Sequence, residues 1–293
     1  MSITALLAAL LFATPQWTTS VDAALGRAGS MQPGGVYKVA FPRSDLDVVV
    51  GDVHVKPALA LGSWVAFLPT PHGTMAMGDL VLTEGEVNDV ISTLQAGGVE
   101  QTAVHNHLLG ESPRVIYVHF GARGDAAAIA RTLHDALAKT KTPMAPPSAS
   151  APAAVDLPDL DAILGAKGKA NGGVMQYAIP RASAVKEHGV TIPPAAGVAT
   201  AINFQPTGNG RAAISGDFVM TADEVNRVIR ELRGGGIAVT ALHSHMLDEQ
   251  PRLFFMHFWA NDDAVALAKT LRKALLECGG QVAALSPQPS PRP

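Results

Sequence analysis

Apolar and polar positions in this chain follow one order twice. Val36–Phe41 alternates with period two and ends in a Pro-Arg pair, and Leu46–Val55 alternates around Gly51-Asp52, which reads as a hairpin. Ser63–Leu68 and Thr74–Leu82 are two further strands. The period then changes to 3.6. Val87, Val90, Ile91 and Leu94 fall on one helical face, with Thr83 three residues ahead of Glu86 in a capping-box pattern and Gly97-Gly98 as the stop. A histidine-bearing hairpin follows, and Asp125–Leu137 returns to helical spacing. The second pass has Val174–Ile179 with its Pro-Arg, Ala201–Gln205, Arg211–Met220, a second capping pattern from Thr221 to Glu224, and a last helix over Asp263–Leu275.

Gly78–Leu137 aligns with Gly216–Leu275 without a gap, and about half of the positions are identical. The chain is therefore one unit written twice. The expected division is a signal segment at 1–19, a first unit at 20–138, a Pro/Ala/Ser-rich linker at 139–155, a second unit at 156–280 and a disordered tail at 281–293. The order of elements within a unit implies an α+β class. Each of the two homologous α/β domains is expected to have two layers, a mainly antiparallel sheet with helices on one face.

Composition narrows the partners. Of the 293 residues, 47% are hydrophobic and 5% aromatic, as in an aliphatic, well-buried core. A net charge of −3 without a Lys/Arg cluster gives no footprint for nucleic acid or an anionic membrane. The single cysteine, Cys278, excludes an internal disulfide and any thiolate-rich zinc module, so a bound metal would need nitrogen and oxygen ligands. The apolar run Ile3–Ala13 is too short to span a bilayer but suits a signal peptide, although no Lys or Arg precedes it; Ala13 and Ala23 are both open as cleavage points. No cysteine follows that run, so a lipid anchor is not expected, nor is a transmembrane segment.

Six of the ten histidines stand in the two hairpins, TAVHNHLLGESPRVIYVHF at Thr102–Phe120 and TALHSHMLDEQPRLFFMHF at Thr240–Phe258. In an extended strand His105 and His107 point the same way. If the turn centres near Glu111, His105 lies opposite Tyr117 and His119 opposite Ala103, which brings three imidazoles to one face while Val104, Ile116, Val118 and Phe120 meet the helices. His243, His245 and His257 repeat the arrangement. Three neutral imidazoles with an open position form a ligand set for zinc, and suit iron, copper or nickel nearly as well. Alternatively, these are histidines held by hydrogen bonds without metal, because duplication copies structural residues as faithfully as ligands.

Other residues are ambiguous in the same way. Glu86 and Glu224 are candidates for a general base or fourth ligand, yet the capping box explains them without chemistry. Arg114 and Arg252 would bind an anion or pair with Glu111 and Glu249, the pairing being favoured. Met246 and Met256 would suit copper(I) or simply fill the core.

The segments ALHSHML, EQPRLFFMHFW, GDFVMTADEVN and VYKVAFPRSDL with ALALGSW are similar to the family named after the mycobacterial lipoproteins LppY and LpqO, a domain of unknown function. The resemblance covers both units. It implies an exported bacterial protein with two copies of the domain, periplasmic or secreted, and carries no activity or substrate with it. This chain departs from the lipoproteins in having no cysteine to lipidate. Two functions remain: binding of a transition metal or small ligand through the histidines, or a metal-dependent hydrolase or oxidoreductase in which Glu86 or Glu224 moves a proton. No Ser/His/Asp order, reactive cysteine or phosphate loop favours catalysis, and binding is the preferred reading. The two histidine faces are expected to look toward each other across one interdomain cavity, because the last strand of the second unit is apolar on both sides.

Overall fold

The computed structural model describes residues 16–145 and 154–282. The apolar run Ile3–Ala13, the middle of the expected linker and the chain after Leu285 lie outside the described residues.

The first unit runs β1 (Ser30–Gln32), β2 (Val36–Pro42), β3 (Val48–Val50), β4 (Val53–Val55), β5 (Gly62–Thr70), β6 (Gly73–Thr83), β7 (Glu100–His105), β8 (Glu111–Ser112) and β9 (Val115–Gly124). Its helices are α1 (Gln16–Leu25), α2 (Pro57–Ala60), α3 (Val87–Ala96) and α4 (Ala126–Leu137). Six strands form an antiparallel sheet in the order β1-β2-β5-β6-β9-β7. The β3–β4 hairpin, turning at Gly51-Asp52 as its alternation implies, pairs separately with β8 in the loop between β7 and β9.

The second unit repeats this with β10 (Lys169–Asn171), β11 (Val174–Pro180), β12 (Val185–Glu187), β13 (Val190–Ile192), β14 (Ala199–Gly208), β15 (Arg211–Met220), β16 (Ala238–His243), β17 (Glu249–Gln250) and β18 (Phe254–Asp263), in the sheet order β10-β11-β14-β15-β18-β16. Its helices are α5 (Asp161–Leu164), α6 (Ala222–Gly234) and α7 (Ala264–Glu277), and a single 3-10 turn at Pro194–Ala196 replaces α2. Two mainly antiparallel α+β units are thus present, as the repeated pattern requires.

Alternation along the strands decides the layering. Outward-facing Val39, Phe41, Val65, Phe67, Leu80, Val118 and Phe120 pack under Val21, Leu25, Val90, Leu94, Ile129 and Leu133 of α1, α3 and α4. Fully burying such a side chain is worth roughly 1.5–3 kcal/mol. The equivalent residues of the second unit pack under α6 and α7. The inner faces are also apolar, and neither sheet covers its own. Val36, Ala66, Leu68 and Met77 meet Val185, Val198, Val219 and Phe255 on one side of the interface. Val55, Leu61, Val81 and Tyr117 meet Val174, Ala213 and Trp259 on the other. The molecule is therefore four layers deep, helices, sheet, sheet, helices.

Polar contacts fix this stacking. Lys56 N–H donates to Gln205 Oε1 at 2.8 Å, Gln205 Nε2 to His54 O at 2.7 Å, and Asn203 Nδ2 to Leu59 O at 3.0 Å, joining the segment around α2 to β14.

Three local expectations change. Both halves of the capping box form at Thr221 and Glu224. At Thr83 only the backbone half does, with Thr83 N–H donating to Glu86 Oε2 at 2.8 Å, and α3 starts at Val87. Gly85 stands where the second unit has Asp223, and a glycine in the first turn costs about 1 kcal/mol of helix propensity. Val104 does face the helix side but is 53% exposed, because β7 is an edge strand. The chain after α4 is docked on the first unit: Thr142 is buried, and Arg27 Nη1 donates to Pro143 O and Ala145 O, both at 3.2 Å.

Candidate metal centre

The hairpin β7–β9 pairs Ala103 with His119 and His105 with Tyr117, the register that follows from a turn near Glu111. Ahead of these pairs the ladder shifts between Gln101 and Ala103, leaving Thr102 as an extra residue. The second hairpin shifts identically at Thr240. A bulge of this kind frees one residue from the ladder and re-aims its side chain. Both threonines use that freedom across the interface: Thr102 Oγ1 donates to His245 O at 2.7 Å, and Thr240 Oγ1 donates to His107 O at 2.6 Å.

This reciprocal clasp brings the six histidines together. His105 and His243 stack with ring centroids 3.7 Å apart. His107 lies between Tyr117 of its own unit, at 3.3 Å, and His257 of the other, at 3.6 Å. His245 correspondingly lies between Phe255, at 3.5 Å, and His119, at 4.0 Å. Each contact has a counterpart under exchange of the units. The expected interdomain cavity is filled by stacked imidazoles.

His107 and His245 reach the cluster differently from the simple strand picture. β7 ends at His105 and β16 at His243, so the second histidine of each HxH motif stands on the loop. Aromatic stacking and the threonine hydrogen bonds hold it where strand alternation would have put it.

Each unit adds a buried carboxylate. Asp79 on β6 is directly opposite His119, and Asp217 on β15 is directly opposite His257. Asp79 Oδ2 lies 3.6 Å from His107 Nε2 and 3.9 Å from His119 Nε2. Asp217 Oδ2 is 2.9 Å from His245 Nε2, within ion-pair distance, and His245 Nε2 has no other partner. Gly78 and Gly216 precede the aspartates because their strands run too close for a side chain. A Cβ at Gly216 would sit 2.1 Å from Ala201 O and 2.7 Å from the Phe258 ring.

Burial dominates the electrostatics. It lowers His107 and His119 well below the ordinary histidine range, lowers His105 to about 3, and lowers His243 and His257, with neighbouring imidazoles acting in the same direction and Asp217 opposing at His105, His243 and His257. The rings of His105, His107, His119 and His243 are therefore neutral at pH 7 and keep a lone pair. Burial, reinforced by the nearby Asp217, raises Asp79 well above a normal carboxyl. Burial would also raise Asp217, but the fields of His257 and His245 outweigh it and hold Asp217 below its usual range.

Backbone carbonyls orient two rings. His257 Nδ1 donates to Gly216 O at 2.8 Å and His245 Nδ1 donates to Gly197 O at 3.2 Å, since a carbonyl only accepts. Both Nε2 atoms are left as acceptors, the arrangement seen when an imidazole is set up as a metal ligand. His257 Nε2 is 3.3 Å from His105 Nε2, which must then donate, leaving Nδ1 of His105 free.

Three sets of histidines have ligand atoms all within 4.8 Å of one another: His105, His107 and His119; His105, His243 and His257; His119, His243 and His245. The first is the trio expected within one unit. The second unit's own trio is not among these sets, since His243 meets His245 and His257 in separate groups, each completed by a histidine of the first unit. The units interleave, and donors of both meet along one interface.

Glu86 and Glu224 are committed elsewhere. Glu86 accepts from Arg43 Nη1 and Nη2 at 2.9 and 3.2 Å, and Glu224 from Arg181 Nη1 and Nη2 at 2.6 and 3.0 Å. The arginines are those of the Pro-Arg pairs, and Nη1 of each also donates to a strand carbonyl, Val81 O or Val219 O. Burial alone would raise these carboxyls, but the arginine hydrogen bonds lower both. Their role is to tie β2 to α3 and β11 to α6. Arg252 pairs with Glu249 at 3.3 Å as expected, whereas Arg114 pairs with Glu84 at 3.7 Å, not with Glu111. Met246 and Met256 are core residues, 2% and 0% exposed.

Asp79 and Asp217 are the site residues that the histidine spacing does not reveal. Their signal was a single acid inside an otherwise apolar strand, after a glycine, at the start of the ungapped repeat.

A family model described as Domain of Unknown Function (DUF1259) matches twice, at residues 19–139 and 158–277. No curated protein matches the chain. Two solved structures are similar to it at 11% identity: the trimeric bacterial microcompartment shell protein PduB, covering 85% of this chain and 89% of its own with a TM-score of 0.22, and EtuB from Clostridium kluyveri, covering 88% and 96% with a TM-score of 0.19. Overlap that low carries no inference about this protein.

Proposed function

We propose that this protein, which belongs to the family described as Domain of Unknown Function (DUF1259), binds a transition metal at the interface of its two units. The observation that carries the proposal is the set of buried donors lacking partners: five of the six clustered histidines and both aspartates keep a side-chain N or O atom without a hydrogen bond. A buried polar group left unpaired costs roughly 1–3 kcal/mol, and gathering seven of them at one point is expensive unless something binds them. A divalent cation answers that demand, with neutral imidazoles and carboxylate oxygen as its ligands.

The donor set supports zinc, ferrous iron or cupric copper. Copper(I) loses its thioether ligands, because Met246 and Met256 are spent in the core. Binding is favoured over catalysis by Glu86 and Glu224, whose oxygens are held by arginine and which therefore offer no free base.

Export to the periplasm or the medium, and the finer kinship with the LppY/LpqO lipoproteins, are part of the same proposal. Among the described residues no helix is long and apolar enough to cross a membrane.

Elemental analysis of untagged protein, repeated on a His105→Ala/His243→Ala double variant, tests the reading. Wild-type protein should carry near-stoichiometric metal and the variant much less. Equal, negligible metal in both, before and after incubation with Zn²⁺, would refute it. Cell fractionation tests export.

A further inference from the structure

We infer that the centre holds two metal ions, one for each unit, each bound by three histidines and one aspartate. The inference rests on the metal-binding reading above and adds its stoichiometry and ligand assignment.

The first argument counts donors. A structural zinc site takes four ligands, while six histidines and two aspartates converge here. One four-coordinate ion would leave four of those side chains buried without a metal, and at least four of the unpartnered donor atoms would stay unpartnered. Two such ions use all eight. His257 is the histidine without an orphaned atom, because its Nε2 faces His105 Nε2 at 3.3 Å. Two ring nitrogens so placed must share a proton or separate toward different ions.

The second argument concerns placement. Asp79 and Asp217 are 4% and 9% exposed, and each stands directly opposite a histidine of its own unit, His119 and His257. Each half of the cluster therefore has its own buried carboxyl.

The third is geometry. His105, His107 and His119 have ligand atoms within 4.8 Å of one another, and Asp79 Oδ2 reaches His107 and His119 at 3.6 and 3.9 Å. Those four residues all belong to the first unit. On the other side His243 lies within the same 4.8 Å limit of both His245 and His257, and Asp217 stands 2.9 Å from His245 and opposite His257 in the ladder. That quartet all belongs to the second unit. Exchange of the units maps the residues of one quartet onto those of the other, although His245 and His257 share no such group and the second quartet is joined through His243. The mixed histidine groups, His105 with His243 and His257 and His119 with His243 and His245, make the two positions neighbours.

Full-length protein stripped with chelator and titrated with Zn²⁺ gives the stoichiometry directly. Two equivalents are expected for wild type and one each for Asp79→Asn and Asp217→Asn, with circular dichroism confirming that each variant is folded. If an Asn variant does not fold, His107→Gln and His245→Gln replace it and should likewise retain one equivalent. Titration with Cu²⁺ adds an independent readout: the electron paramagnetic resonance signal should grow to the first equivalent, then broaden or diminish as a coupled pair forms. Saturation of wild type at one equivalent overturns the pair while leaving metal binding intact. Binding of no Zn²⁺ overturns both readings. Retention of two equivalents by every single variant overturns the assignment of one quartet to each ion.

Discussion

Replacing Glu224 with Gln separates a structural carboxylate from a catalytic one. Glu224 is 8% exposed and meets both Nη atoms of Arg181, itself 6% exposed in its side chain, at 2.6 and 3.0 Å, while its Oε2 also accepts from Thr221 N–H at 2.7 Å. Gln keeps the shape but removes the charge, leaving a buried guanidinium whose remaining partners are the Val219 and Cys278 carbonyls and a long contact to Ser183. Breaking a buried pair costs roughly 3–5 kcal/mol. Because Gln retains one acceptor and the Arg181 carbonyl contacts remain, the lower end, about 3 kcal/mol, is expected, or a drop in Tm of about 6–12 °C for a chain of this size. Glu86→Gln should cost less, since Arg43 keeps a second carboxylate, Asp45, at 2.9 Å. The assay is urea unfolding of both variants alongside metal analysis. Glu224→Gln should be the less stable of the two, and both should carry wild-type metal. A Glu224→Gln protein that is as stable as wild type but has lost metal would place this carboxylate in the centre and refute the reasoning.

Acid sensitivity of the metal-free protein follows from the depressed histidines. A folded-state pKa below the unfolded value near 6.5 contributes stability that is present above pH 6.5 and lost as pH falls, continuing for His105 to about 3; urea midpoints of chelated protein should drop between pH 7.5 and 5, and a flat profile would contradict the buried cluster. Glu86 and Glu224 are lowered from 4.5, so their contribution is lost only below that pH. Thr102→Val and Thr240→Val each remove one interdomain hydrogen bond, at about 1 kcal/mol apiece; amide exchange at residues 107 and 245 should quicken in both, and an unchanged rate would show that the clasp does not hold the loops. Gly216→Ala forces a Cβ to within 2.1 Å of Ala201 O, so denaturant unfolding should show a loss of about 1–3 kcal/mol from overpacking, with weaker metal retention because Asp217 must shift. A wild-type melting curve would refute the close approach.

Much of the hairpin was readable from the chain because it is a local matter. Turn position and alternation determine which residues oppose each other, and Ala103–His119 and His105–Tyr117 pair accordingly. The bulges at Thr102 and Thr240 were not readable, because a threonine in a strand has nothing to mark it as surplus until the other unit's carbonyl appears. The same holds for Asp79 and Asp217. One acid in an apolar strand reads as an edge or a turn, and only strand order shows that it lies opposite a histidine. Glu86 and Glu224 are the reverse case. Their capping role was legible, whereas Arg43 and Arg181, 43 residues earlier, acquire meaning only when β2 and β11 come alongside β5 and β14.

Duplication explains why the donors collect between the units. A single unit covers one face of its sheet with helices and leaves the other apolar, with Val36, Ala66, Leu68 and Met77 toward one end and Val55, Val81 and Tyr117 toward the other. Burying that face against a second copy stabilises both by the hydrophobic effect alone. The strip between the two apolar clusters is then desolvated whatever it contains. A histidine there loses its water, stays neutral and keeps a lone pair that the protein does not fill. Apolar packing at either end of the interface thus produces the dry, imidazole-lined interior that a metal ion requires. A lone unit would leave the same histidines hydrated and able to protonate near pH 6.5, so the ligand character of these residues belongs to the pair of domains and not to the motif.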